Sequence, residues 1–223
     1  VPRAAREPRV TPFLLVLSSP SGGGKTTIAR ALLQARTDVG YSVSATTRPP
    51  RPGERDGHDY HFLTGAEFER RVVAGEFLEH ATYGGHRYGT LRAEIDRVLG
   101  NGCHAVLDIE VEGARQVMDR MPDAVRVFVL PPSAKVLVER LRSRDTETPE
   151  TRRVRLARAA EELLAVTEYD YAVVNEHLRD AVNAVGAILD AESSRVARRR
   201  DLAGFVENLR QGVAAAATRD EGV

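Results

Sequence analysis

A single cysteine, Cys103, stands in 223 residues, so no intramolecular disulfide can form. There is no Cys-x-x-Cys pair and no ligand spacing among the six histidines, which leaves no zinc framework. Cys103 borders the apolar run Ala105-Val106-Leu107 and reads as a small side chain at a strand edge. Net charge is missing as well. Thirty-two Lys and Arg balance thirty-two Asp and Glu, so no global field favours nucleic acid or a membrane surface. No apolar run is long enough to span a bilayer, and residues 1–11, which carry arginines and prolines, lack the apolar core of a signal peptide. These absences point to a cytosolic protein with neither nucleic-acid nor membrane partners, in which any anion binding must be local.

The length allows one sizeable core with small insertions. Strand-like runs at 13–17, 105–109, 125–130 and 171–174 alternate with helical patterns at 26–36, 91–100, 133–143 and 178–199, and the alternation predicts an α/β fold with a parallel sheet flanked by helices. The runs at 125–130 and 171–174 are nearly all apolar, as strands covered on both faces should be. Residues 41–89 differ: they are rich in turns, glycine and tyrosine and read as an inserted antiparallel subdomain. A second stretch, 140–155, is dense in arginine and reads as a mobile surface segment. Residues 1–11 read as a flexible lead-in and 201–223 as a flexible tail. Arg198-Arg199-Arg200 reads as the solvated, dipole-complementing end of the helix over 178–199.

Directly behind Phe13-Leu14-Leu15-Val16-Leu17 comes Ser18-Ser19-Pro20-Ser21-Gly22-Gly23-Gly24-Lys25-Thr26-Thr27. Three glycines let backbone N–H groups turn inward, Lys25 can reach β and γ phosphates, and Thr26 offers a hydroxyl to Mg²⁺. A nucleoside triphosphate is the implied ligand. One position departs from the full pattern, because Ser19 stands where the first glycine of the motif falls.

A second constellation is Ser44-Ala45-Thr46-Thr47-Arg48-Pro49-Pro50-Arg51-Pro52-Gly53-Glu54, followed by Asp56-Gly57 and Tyr60. Two arginine forks in a proline-stiffened loop suit a phosphate monoester. Asp108 ends the apolar run His104-Ala105-Val106-Leu107, so its carboxylate should emerge where α/β sheets place ligands, near Lys25.

The phosphate loop, the Thr-Thr-Arg segment and Asp108-Ile109-Glu110-Val111-Glu112-Gly113 together resemble guanylate kinase, over about residues 13–190. The resemblance implies a P-loop NTPase-type core (12–40, 91–139 and 159–200), a mixed or antiparallel GMP-binding subdomain (41–90) and an arginine-rich lid (140–158). It implies Mg²⁺-dependent transfer of the ATP γ-phosphoryl group to GMP, within purine nucleotide metabolism. By that similarity Ser44, Arg48, Arg51, Tyr60, Glu79, Tyr88 and Thr90 form the GMP site, with Asp108 and Glu110 on the acceptor side. Arg48, Arg51, Tyr60 and Tyr88 would take the phosphate, and Glu79 with the hydroxyls would read guanine. ATP would lie on Ser19 to Thr27 and on Asn175, with Mg²⁺ on Thr26 and, partly through water, Asp108. Arg140, Arg144 and Arg155 match the family's lid arginines and join Lys25, Arg48 and Asp108 as the implied catalytic set. The family usually has glutamine at Glu112 and glycine at Asp145, and the added charge at Asp145 is expected to weaken ATP closure modestly. A kinase for a ribose bisphosphate and a non-catalytic binding module of the same fold are the alternatives. Use of dGMP and assembly into a homo-oligomer are left open.

Overall fold

The computed structural model describes residues 7–142 and 149–220. In chain order the elements are β1 (Leu14–Ser18), α1 (Lys25–Ala35), β2 (Val39–Tyr41), β3 (Ala45–Thr46), β4 (His61–Phe62), α2 (Gly65–Val73), β5 (Phe77–Tyr83), β6 (His86–Leu91) and α3 (Arg92–Gly100). They continue with β7 (His104–Asp108), α4 (Val111–Arg120), β8 (Val125–Leu130), α5 (Ala134–Arg142), α6 (Pro149–Leu164), β9 (Tyr171–Val174), α7 (Leu178–Ser193) and α8 (Leu202–Asp220). The chain divides into two compact units, Phe13–Gly186 and Val1–Pro12 with Ala187–Val223.

In the first unit a parallel sheet has the order β2-β7-β1-β8-β9. All five residues of β1 are buried, because helices cover both faces of a parallel sheet. Its core joins Leu14 and Val16 to Ala105 and Leu107 of β7, Ile95 and Val98 of α3, and Ala114 and Val117 of α4. The strands expected at 125–130 and 171–174 form at those positions, but β9 lies at the sheet edge with Ala172 and Val174 exposed, so only β8 of the two is covered on both faces.

The insertion is a four-stranded mixed sheet in the order β4-β3-β6-β5. β5 and β6 pair as an antiparallel hairpin, and β3 runs antiparallel to β6 but parallel to β4. A separate small core of Ala45, Phe68, Phe77 and Leu91 holds it, with the Phe68 and Phe77 rings stacked at 4.4 Å.

The second unit corrects three expectations. α7 ends at Ser193 rather than continuing through the arginine triplet, which lies at and beyond a short 3₁₀ turn, Val196–Arg198. Residues 1–6 of the expected lead-in lie outside the described residues, and residues 9–11 are paired, not loose: Thr11 N–H donates to Arg198 O at 2.7 Å and Arg200 N–H to Arg9 O at 2.8 Å. Backbone hydrogen bonding with residues 9–11 therefore replaces the helix end. Of the residues expected as a flexible tail, Leu202–Asp220 form α8, mostly exposed, with Val206, Leu209 and Val213 on its surface, and 221–223 lie outside the described residues. No described helix is long and apolar enough to cross a membrane.

Phe68 is fully buried. Its replacement by alanine should lower stability by about 3–5 kcal/mol in urea unfolding. A loss below about 1 kcal/mol would show that this small cluster is not what holds the insertion together.

Candidate active site

Between β1 and α1 the chain must turn sharply. Gly22 and Gly24 make the turn with φ of 84° and 97°, in the left-handed region that side chains disfavour. A Cβ on Gly24 would also stand 2.5 Å from Asn175 Nδ2. That amide donates to Gly23 O at 3.1 Å and ties the loop to the end of β9. Ser19 is buried and donates to Pro20 O at 3.0 Å, and Gly23 packs so closely that a Cβ there would lie 2.6 Å from Ser19 Cβ. The loop thus closes with serine at the departing position. α1 starts without a side-chain cap and without an acid in its first turn, so its N-terminal amides suit an anion.

Ser19, Gly22, Gly24, Lys25, Thr26 and Thr27 share one cavity with Asn175 and Arg140. Arg140 donates to Gly23 O at 3.3 Å and to Asn175 O at 3.4 Å. Buried Pro20 and half-buried Ser21 are not part of that lining. Ser21 presents its backbone N–H to Glu162 at 3.0 Å and its hydroxyl to Arg155 at 3.1 Å. Arg155 is buried, which corrects the expectation of a mobile surface segment for this part of the chain. Arg144 and Asp145 lie outside the described residues.

The loop faces the end of β7. Thr26 Oγ1 and the Tyr41 hydroxyl each donate to Asp108 at 2.5 Å, one to either oxygen. Burial and the neighbouring Asp108 charge push the Tyr41 hydroxyl pKa up, so it stays a donor. Lys25 Nζ donates to Glu110 Oε1 at 2.8 Å. Glu110 is the N-cap of α4 but makes no capping bond with its side chain, which leaves the carboxylate for Lys25. Thr26 and Asp108 are hard oxygen donors of the kind Mg²⁺ accepts alongside phosphate and water. Among the described residues no cluster of three His, Cys, Asp or Glu could hold a metal by itself.

A cavity of about 220 Å³ opens from Lys25 and Thr26 into the insertion. Ser44, Tyr60, Glu79 and Tyr88 line it together with Asp108 and Glu110. Glu79 is 4% exposed and accepts the Thr90 hydroxyl at 2.7 Å. Burial pushes its carboxyl pKa up to about 7. β5 is an edge strand, and α4 covers its backbone: Gln116 bonds both His80 N–H and His80 O, and Arg120 donates to Leu78 O. A Cβ at Gly113 would lie 2.6 Å from Glu79 Oε2, so glycine lets α4 approach this carboxylate without displacing it.

Arg48 and Arg51 are not among the residues that line this cavity. Arg48 donates to both oxygens of Glu54 at 2.8 and 2.9 Å and lies 5.4 Å over the Tyr60 ring. The Glu54 hydrogen bond raises the Arg48 pKa further. Arg51 is exposed, and its backbone N–H donates to Glu54 at 2.7 Å. Glu54 thus organises the arginine loop. Glu112 lines neither cavity and is 64% exposed, near Arg115.

Sequence reasoning missed Tyr41, Tyr83, Gln116 and Glu162. None carries a local signal, since each acts through a partner distant in the chain.

The guanylate kinase family profile matches residues 12–192. A guanylate kinase of Sphingopyxis alaskensis is 47% identical, over 92% of this chain and 94% of the relative. One of Paramagnetospirillum magneticum is 48% identical, over 90% and 94%. The crystal structure of a guanylate kinase from Anaplasma phagocytophilum superposes with a TM-score of 0.73 at 35% identity, covering 90% of this chain and 96% of that one.

Replacing Gly24 by alanine forces a side chain into left-handed backbone and against Asn175. Strain of about 1–2 kcal/mol should weaken binding of a fluorescent ATP analogue about tenfold. Unchanged affinity would mean that the loop does not need this conformation.

Proposed function

The chain belongs to the guanylate kinase family, the nucleoside monophosphate kinases that act on GMP, and we propose the following roles for its residues in transfer of the ATP γ-phosphoryl group. ATP lies on the loop from Ser19 to Thr27, with Asn175 and Arg140 beside it, and GMP lies in the cavity of Glu79. The observation that carries this reading is a single cavity with Lys25 and Thr26 at one end and a buried carboxylate at the other. Such a site sets a phosphoryl donor against a base that presents N–H groups. Guanine offers N1–H and N2–H₂ as adjacent donors to Glu79, and Ser44 and Thr90 add hydroxyls. Adenine lacks that edge, and a site built on such bonds rejects the wrong base by about 10⁴.

An oxygen of the GMP phosphate attacks the γ-phosphorus in line. The new O–P bond forms as the bond to the β-bridging oxygen breaks, and ADP leaves. This oxygen is already ionised, so no general base is needed. Lys25 moves from Glu110 to the β and γ oxygens, Arg140 offsets charge on the moving group, and Arg48 and Arg51 hold the acceptor phosphate with Tyr60 and Tyr88. Thr26 and, partly through water, Asp108 would hold Mg²⁺, which would supply charge neutralisation to the phosphates. Tyr41 keeps Asp108 turned toward Thr26.

The first test is ADP release from MgATP with GMP, AMP, CMP, UMP or ribose 1,5-bisphosphate, in the native protein and in Glu79→Ala. Turnover with GMP alone, depressed at least about a hundredfold in kcat/KM by Glu79→Ala, is expected. Turnover with the ribose compound alone, or none at all, overturns the reading.

A pH dependence follows from the same residue. GMP needs Glu79 ionised, whereas burial favours the protonated form below about pH 7. KM for GMP should therefore rise about tenfold per unit as pH falls below that value, and flatten above it. In Glu79→Gln only the titration of GMP itself should remain. Identical profiles for the two proteins would remove Glu79 from base recognition.

A further inference from the structure

Arg155, Arg158 and Glu162 occupy positions i, i+3 and i+7 of α6, so their side chains leave one face of the helix. At one end of this face Ser21 of the phosphate loop gives its N–H to Glu162 Oε2 at 3.0 Å and accepts Arg155 at 3.1 Å on its hydroxyl. Glu162 is only 8% exposed, and its second oxygen accepts Arg158 Nε at 2.8 Å. The Arg158 guanidinium in turn lies 5.0 Å over the ring of Tyr83, the last residue of β5. Tyr83 lines the cavity that contains Glu79. A continuous run of contacts thus leads from the donor loop through α6 to the wall of the acceptor site.

We propose that Arg158 and Tyr83 are positioning residues that couple the two substrate sites, making the binding of one nucleotide tighten the binding of the other. The proposal rests on the kinase reading above. GMP seated in the cavity holds the Tyr83 ring beneath Arg158. Arg158 then holds Glu162, and Glu162 fixes the phosphate loop through the Ser21 amide. The links differ in strength. A buried carboxylate that accepts an amide and a guanidinium makes strong, charge-assisted bonds, whereas a half-exposed guanidinium on a ring is weaker. The Arg158–Tyr83 contact is therefore the link that occupancy can make or break. Coupling of this kind is reciprocal, so ATP must tighten GMP binding by the same factor.

The experiment is calorimetry of a non-hydrolysable ATP analogue with and without saturating GMP. It compares the native protein with Arg158→Gln, Tyr83→Leu, Tyr83→Phe and the double variant Arg158→Gln with Tyr83→Leu. GMP should tighten analogue binding in the native protein. Arg158→Gln and Tyr83→Leu should each reduce that factor about two- to fivefold, and the double variant should lose no more than either one. Tyr83→Phe keeps the ring face and should keep the native factor. A purely structural role would change stability or the affinity for each ligand alone, leaving the ratio intact. The same factor in every variant, or additive losses in the double variant, overturns the coupling. ADP release with GMP is measured on the native protein alongside. Turnover with unchanged coupling in the variants removes only this proposal, and absent turnover removes the kinase reading and the coupling with it.

Discussion

The parallel register of β1 against β7 sets Leu17 opposite Asp108, and the two strands leave the sheet at the same edge. Ile109 N–H donates to Leu17 O at 3.1 Å and extends that pairing one step past β7. The phosphate loop and the start of α4 are consequently held face to face, which is why Thr26 reaches Asp108 and Lys25 reaches Glu110. A slip of one residue would turn Asp108 to the opposite face of the sheet and separate these groups. β8 and β9 extend the same edge on the other side, and Asn175 follows β9 onto the loop. This cluster around Lys25 and Thr26 is thus a product of strand pairing, with the glycines supplying only the local turn.

The cavity of Glu79 depends on a different constraint, a carboxylate kept out of water. Glu79 lies on an edge strand, where backbone groups would otherwise face solvent. Gln116 and Arg120 of α4 satisfy those groups, and Gly113 allows the helix close enough to do so. The cost of burying the charge appears as a raised carboxyl pKa. With GMP in this cavity, as proposed, the same burial would make base selection sharp, because a base that cannot donate to Glu79 would leave a desolvated acceptor unpaired.

Much of this was legible in the residues. The phosphate loop followed from glycines, lysine and hydroxyl in register behind an apolar strand, and the two-sided sheet from runs such as Val125 to Leu130. Periodicity also read a helix onward from Leu178, but not its end. Apolar spacing gave no sign that Arg198 to Arg200 would pair with residues 9–11, since strand pairing across the chain leaves no local pattern. Likewise the alanine-rich stretch from Leu202 forms α8, where high helix propensity outweighs the lack of a buried face.

Sequence by itself determined the chemistry of the groups and the turns that depend on adjacent residues: the glycine loop, the N-terminus of α1, the acid at the end of β7 and the stiffened arginine loop. Only the tertiary structure decided which groups meet. It paired Arg48 with Glu54, buried Arg155 against Ser21, brought Tyr41 to Asp108 and closed α4 over Glu79. Backbone conformation is governed by steric contacts between neighbours in sequence, whereas these contacts, several of them between residues far apart in the chain, arise only once a shared core has fixed the elements in space.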